Sequence, residues 1–160
     1  MSIQVGDKMP EGSFGVMTEN GPGSISAEEL FSGKKVVLIS VPGAFTPTCS
    51  MKHLPGFVEQ AAALKAEGVD TIACTAVNDV FVMDAWGKEK GVGDDVLMLA
   101  DGNGDYVRAL GLEMDATGFG MGTRGQRFAI VVEDGTATHV AVEAPGQFEV
   151  SKVEAIMQAI

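Results

Sequence analysis

Residues 35–50 read KVVLISVPGAFTPTCS. Lys35 to Val41 form a continuous, mostly aliphatic and β-branched run, the composition of a strand buried on both faces. Pro42 and Gly43 end that run. Thr46 and Pro47 then pair a residue suited to a helix N-cap with a proline at the first helical position. Sixteen residues therefore specify a buried strand, a tight turn and a helix start, which is the opening of an α/β unit. Cys49 falls at the third helical position.

Working outward, apolar residues at Met51, Leu54, Val58, Ala61, Ala62 and Leu64 predict one helix from Pro47 to Glu67. Pro55 should kink it, and Gly68 should stop it. Val69–Val77 and Val96–Ala100 read as further strands. Between them, a helix capped by Asn78 or Asp79 runs to Lys90 and stops at Gly91. A short helix over Asp101–Leu110, capped at its acidic start, stops at Gly111. Arg127–Glu133 and Thr136–Val142 flank Asp134-Gly135, a strong hairpin signal. Ser151 and Glu154 predict a capping box for a last helix, Ser151–Ile160. The expected fold class is α/β, a mixed central β-sheet flanked by helices, in one domain over residues 1–160.

The chain is 46% hydrophobic and 21% charged, a globular composition. Its net charge of −11 argues against nucleic-acid partners, because phosphates would be repelled. No apolar run is long enough to span a bilayer, and the N-terminus lacks a basic region followed by an apolar core. A cytoplasmic location without membrane partners is expected. Two cysteines are too few for a disulfide scaffold at this size. Each is then a reactive thiol, a metal ligand or a small buried hydrophobe.

At a helix start, unpaired backbone N–H groups and the positive end of the dipole favour thiolate over thiol at Cys49. The alternative is an inert cysteine buried at a helix end. A disulfide-exchange site would want C-x-x-C, and here threonine stands at the first position (T-P-T-C). A hydrolase-type cysteine would need a histidine base, with His53 and His139 the only candidates. A thiolate attacking a peroxide needs hydrogen-bond donors and a fixed cation around the departing oxygen. Thr46 offers a hydroxyl. The chain has three arginines, and two of them, Arg124 and Arg127, lie in G-T-R-G-Q-R-F just before a predicted central strand.

The run P-G-A-F-T-P-T-C-S (42–50) closely resembles the active-site signature of the peroxiredoxins, P-x-x-x-T-x-x-C. With H-L-P-G-F (53–57) it resembles the type II subgroup. The resemblance continues through 74–86, 101–105, 109–112 and 124–135, in order along nearly the whole chain. It implies a thioredoxin-like fold, reduction of hydrogen peroxide and organic hydroperoxides, and no metal or organic cofactor. It further implies glutaredoxin with glutathione, or thioredoxin, as reductant, and a homodimer. On this resemblance Cys49 is the peroxidatic cysteine that becomes a sulfenic acid, Thr46 donates to peroxide and sulfur, and Pro42 shields the sulfenic acid. Arg127, directly before Phe128, matches the active-site arginine, with Arg124 a second basic residue nearby. Gly43, Phe45, Phe119 and Arg124 are expected around the substrate pocket.

Cys74 matches a position where many type II members carry a second cysteine. It reads either as a resolving thiol or as a buried hydrophobe among Ile72, Ala73 and Ala76. His53 shares a helix face with Cys49, but no further ligands accompany the pair, so a packing or hydrogen-bonding role is expected and no metal site. Residues 120–125 fit G-x-G-x-x-G but open no helix, and 101–112 lack the glycine and acidic residue of a calcium loop. A rival reading is a peroxide sensor or holdase-like interaction protein that uses Cys49 oxidation as a signal.

Overall fold

The computed structural model describes residues 1–160, except for the side chain of Cys49. Its centre is the run that opened the sequence. Strand β3 (Lys35–Ser40) pairs in parallel with β4 (Thr71–Ala76), and β4 with β5 (Leu97–Ala100). On the other side β3 pairs antiparallel with β8 (Phe128–Glu133), and β8 with β9 (Thr136–Val142). At the Asp134-Gly135 turn both residues take positive φ, 47° and 80°, as this hairpin type requires. A hairpin of β1 (Ser13–Thr18) and β2 (Gly21–Ser26) extends the edge beyond β5. The order is β2-β1-β5-β4-β3-β8-β9, with β6 (Glu113–Asp115) and β7 (Thr123–Gly125) forming a separate two-stranded flap.

Alternation along the strands sends side chains to two cores. Val37, Ile39, Val41, Cys74, Ala129 and Val131 face α2 (Leu54–Glu59), α3 (Ala61–Ala66), α4 (Val80–Glu89) and α6 (Val153–Ala159). Val36, Leu38, Ala73, Phe128, Ile130 and Val132 face α1 (Ala27–Phe31) and α5 (Asp105–Leu110). The sheet is therefore mixed and covered on both faces, which is the thioredoxin-like arrangement the sequence predicts. Among the described residues no helix is long and apolar enough to cross a membrane.

Three local expectations are corrected. The helix predicted over 47–67 is not continuous. Helical backbone starts at Pro47, passes through a π-helical turn (Cys49–His53), continues as α2, breaks at Gln60 and resumes as α3. Pro55 has no N–H, and its ring would clash with the carbonyl four residues back in a regular helix, so a widened turn ahead of it relieves both problems. Second, Ser151 does not cap α6. Lys152 occupies that position without a side-chain bond, because the Ser151 hydroxyl is held by Glu143 at 2.6 Å. The capping box the chain does contain is Ser26 with Glu29, at α1. Third, α5 starts at Asp105, after Gly104. Asp101 still serves it from upstream, its carboxylate accepting from the N–H groups of Tyr106 (3.1 Å) and Val107 (2.9 Å).

Candidate active site

The turn after β3 fixes the first side of the site. The backbone carbonyl of Thr46 accepts from Ser50 N–H at 2.9 Å, the first bond of the helix, with Pro47 following Thr46 as expected. The Thr46 hydroxyl donates to the carbonyl of Gly43 at 2.7 Å. A carbonyl only accepts, so the hydroxyl proton points to Gly43 in this bond. Phe45 sits in the left-handed region at φ 67°, a conformation that carries strain in a residue with a Cβ. Asn78 steadies the turn, its Oδ1 accepting from Ala44 N–H at 2.9 Å.

Arg127, immediately before β8, faces this turn across the sheet end. Pro42, Thr46 and Arg127 line one cavity of about 630 Å³. Its walls are mostly apolar, with Met114, Phe119, Met121 and Phe148 prominent, and Glu113 and Glu143 at its polar margin. Of the four residues expected around the pocket, only Phe119 lines it, and that ring is 85% exposed. Phe45 is half exposed and leans toward Trp86, at 6.4 Å between ring centroids. Gly43 and Arg124 are not among the residues that line the cavity. Arg124 donates from Nε to Met121 O (3.0 Å) and from Nη1 to Pro42 O (3.4 Å), tying the flap to the turn.

The second side of the site contains residues for which sequence gave little warning. Arg127 Nη1 lies 3.0 Å from His53 Nδ1. The guanidinium only donates, so Nδ1 accepts, and the ring proton sits on Nε2, 3.1 Å from the carbonyl of Ser151. Ser151 in turn donates from its N–H (2.8 Å) and its hydroxyl (2.6 Å) to Glu143, which also accepts from Glu149 N–H at 2.8 Å. His53, Ser151 and Glu143 are all buried. Burial, reinforced by the Arg127 charge, pushes the His53 pKa down to about 3, so the ring is neutral at physiological pH. Burial pushes the Glu143 carboxyl up, but hydrogen bonds from Ser151, Glu149 and Val150 outweigh it and hold the group below its ordinary value. Phe148 packs edge-on to His53 at 5.2 Å and lies 5.8 Å below the Arg127 guanidinium.

Cys49 opens the π-helical turn, and its side chain lies outside the described residues. Cys74 is completely buried in the middle of β4, between Ile39 of β3 and Met98 of β5. Among the described residues no cluster of three or more His, Cys, Asp or Glu could hold a metal ion.

The Redoxin family matches residues 4–157. Peroxiredoxin-2B of Arabidopsis thaliana is 48% identical over 99% of this chain and 98% of its own. The crystal structure of reduced Prx3 from Vibrio vulnificus in complex with hydrogen peroxide superposes with a TM-score of 0.95. It is 50% identical, with 98% of each chain covered. The chain belongs to the type II peroxiredoxins. Oxidised Prx3 from the same organism superposes at a TM-score of 0.91, with 51% identity over 99% of each chain. This peroxiredoxin is a thiol-dependent peroxidase that acts on peroxides with thiol reductants.

Proposed function

We propose that Cys49 is the peroxidatic thiol, and that Thr46, Pro42 and Arg127 form the site in which it meets hydrogen peroxide and organic hydroperoxides. The observation that carries this reading is the convergence of those three residues on one cavity beside the helix start that holds Cys49. The Cys49 thiolate attacks one peroxide oxygen. An S–O bond forms as the O–O bond breaks, and the departing oxygen takes up a proton and leaves as water or an alcohol. Sulfur is oxidised by two electrons to the sulfenic acid. Thr46 hydrogen-bonds the peroxide through its hydroxyl and orients it. Arg127 stabilises the thiolate before the reaction and the negative charge on the leaving oxygen during it. Pro42 closes one wall against bulk water, and the apolar lining favours alkyl over ionic substrates.

A thiol then condenses with the sulfenic acid, water leaves, and a second thiol restores Cys49 and leaves as a disulfide. Cys74 is fully buried between two strand neighbours, which favours an external thiol for this step, supplied by glutathione with glutaredoxin or by thioredoxin. The exposed rings of Phe45, Phe81 and Phe119 suit a homodimer face.

The deciding experiment follows hydrogen peroxide consumption with each reductant system in the wild type and in Cys49→Ser. Turnover lost in the variant supports the reading. Undiminished turnover overturns it, and a single stoichiometric oxidation without recycling would make Cys49 a sensor. Mass spectrometry of the oxidised protein separates a mixed disulfide from a Cys49–Cys74 bond.

A further inference from the structure

Arg127 is the cation of the proposed mechanism, and one of its partners is unusual for a half-buried arginine. Nη1 donates to a neutral imidazole, where a carboxylate is the commoner choice. A carboxylate at this distance would hold the guanidinium but also cancel much of its field. A charged imidazole could not accept at all. A neutral ring fixes the direction of the guanidinium and leaves its charge intact.

The ring can do this only in one tautomer. Nδ1 must accept from Arg127, so Nε2 must carry the proton, which it donates to the buried carbonyl of Ser151. That carbonyl sits in a loop that is itself anchored. Both the N–H and the hydroxyl of Ser151 end on Glu143, which follows β9. The chain Arg127–His53–Ser151–Glu143 therefore joins four elements, namely the start of β8, the π-helical turn, the approach to α6 and the end of β9. Phe57 (5.7 Å) and Phe148 (5.2 Å) pack against the ring in edge-type contacts. The acidic end of this relay is two hydrogen-bonded residues away from the guanidinium, and its carboxylate is engaged by Ser151 and Glu149.

We propose that His53, held by Ser151 and Glu143, is a positioning residue that aims the Arg127 guanidinium at the reacting atoms while leaving its positive charge intact. The inference rests on the role given to Arg127 above. A purely structural histidine would affect stability alone. A positioning histidine should affect the peroxide step and the Cys49 thiolate, and only when Arg127 is present.

The test measures the second-order rate constant for hydrogen peroxide, the Cys49 pKa by thiolate absorbance, and the KM for the reductant. His53→Leu removes the acceptor at similar volume and should slow the peroxide step about 10- to 100-fold, the cost of misplacing a catalytic group. It should also raise the Cys49 pKa and leave the reductant KM unchanged. His53→Asn keeps an acceptor near the Nδ1 position and should recover most of the rate. In an Arg127→Ala background, His53→Leu should have no further effect. Glu143→Gln should slow the same step about 3- to 10-fold, again only with Arg127 present. If the leucine variant does not fold, this glutamine pair decides the question by the same criteria. A folded His53→Leu or Glu143→Gln with wild-type rate and pKa overturns the relay, as does an equal loss in the Arg127→Ala background. If Arg127→Ala itself leaves the peroxide step unchanged, the role of Arg127 falls and the relay falls with it. If that variant is slow while the His53 and Glu143 variants are not, the relay alone falls.

Discussion

The indole N–H of Trp86 donates to Oγ of Ser50 at 2.8 Å, so α4 is fastened to the residue that follows Cys49. Both groups are buried, and Trp86 is the only tryptophan of the chain. Any rearrangement of the helix start on oxidation of Cys49 must strain or break this bond. Peroxide should therefore change the intrinsic fluorescence of the wild type, and the change should be absent in Cys49→Ser. Trp86→Phe leaves the Ser50 hydroxyl without its donor and should cost about 1–3 kcal/mol, read by urea unfolding. Identical fluorescence before and after complete oxidation of Cys49 would show that this helix start does not move.

The two arginines before β8 should separate cleanly in kinetics. Arg127 lines the cavity, whereas Arg124 spends its bonds on the carbonyls of Met121 and Pro42. Arg127→Ala should slow the peroxide step about 10²- to 10³-fold, the usual cost of removing a charge-stabilising group. Arg124→Ala should cost about 1 kcal/mol of stability and less than about tenfold in rate. A reversed order in stopped-flow rates would transfer the catalytic role to Arg124.

Gly43 is required for space. A Cβ there would stand 3.0 Å from Arg124 Nη1 and 3.2 Å from Thr46 Cγ2. The arginine tip can yield, but the threonine is held by the bond from its own hydroxyl to the Gly43 carbonyl. Gly43→Ala should thus displace Thr46, cost about 1–3 kcal/mol and slow peroxide reduction. Thermal unfolding and the peroxide rate constant measured together would reveal this. A variant unchanged in both would mean that the turn adapts.

The sheet was legible because its signals are local. The apolar run at 35–41, the Asp134-Gly135 turn and the glycines ending the helices each act within a few residues. The first hairpin was not legible: Gly21-Pro22-Gly23-Ser24 has little strand propensity and is held in β2 by its pairing with β1. Cys49, Thr46 and Pro42 stand in the signature motif and Arg127 in the matching R-F pair, and the cavity unites Thr46, Pro42 and Arg127. Glu143 and Ser151 were not legible, because the histidine they support stands 98 residues away from Ser151 in the chain. Ser151 even imitates a capping box with Glu154, and only the distant carboxylate of Glu143 explains where its hydroxyl goes.

Acid stability should carry the signature of the buried imidazole. In the folded protein His53 stays neutral down to a pH of about 3. In the unfolded chain an imidazole takes up its proton near about 6.5. Between these values the unfolded state binds a proton that the folded state refuses, so stability is full above the unfolded pKa and falls as pH drops, by up to ~1.4 kcal/mol per pH unit. Glu143 acts with the same sign in a lower window. Its folded pKa is depressed, so its contribution is present above the ordinary carboxyl value of about 4.3 and is lost as pH falls through the folded value. The wild type should therefore lose stability in two stages, the first set by His53. His53→Leu should abolish the first stage: less stable than the wild type near neutrality, it should close the gap as pH is lowered toward about 4.5. Urea unfolding of both proteins across this range reads the slopes directly. Parallel slopes would mean that His53 titrates in the folded protein much as it does in the unfolded chain, and that Arg127 is not bound by a neutral ring.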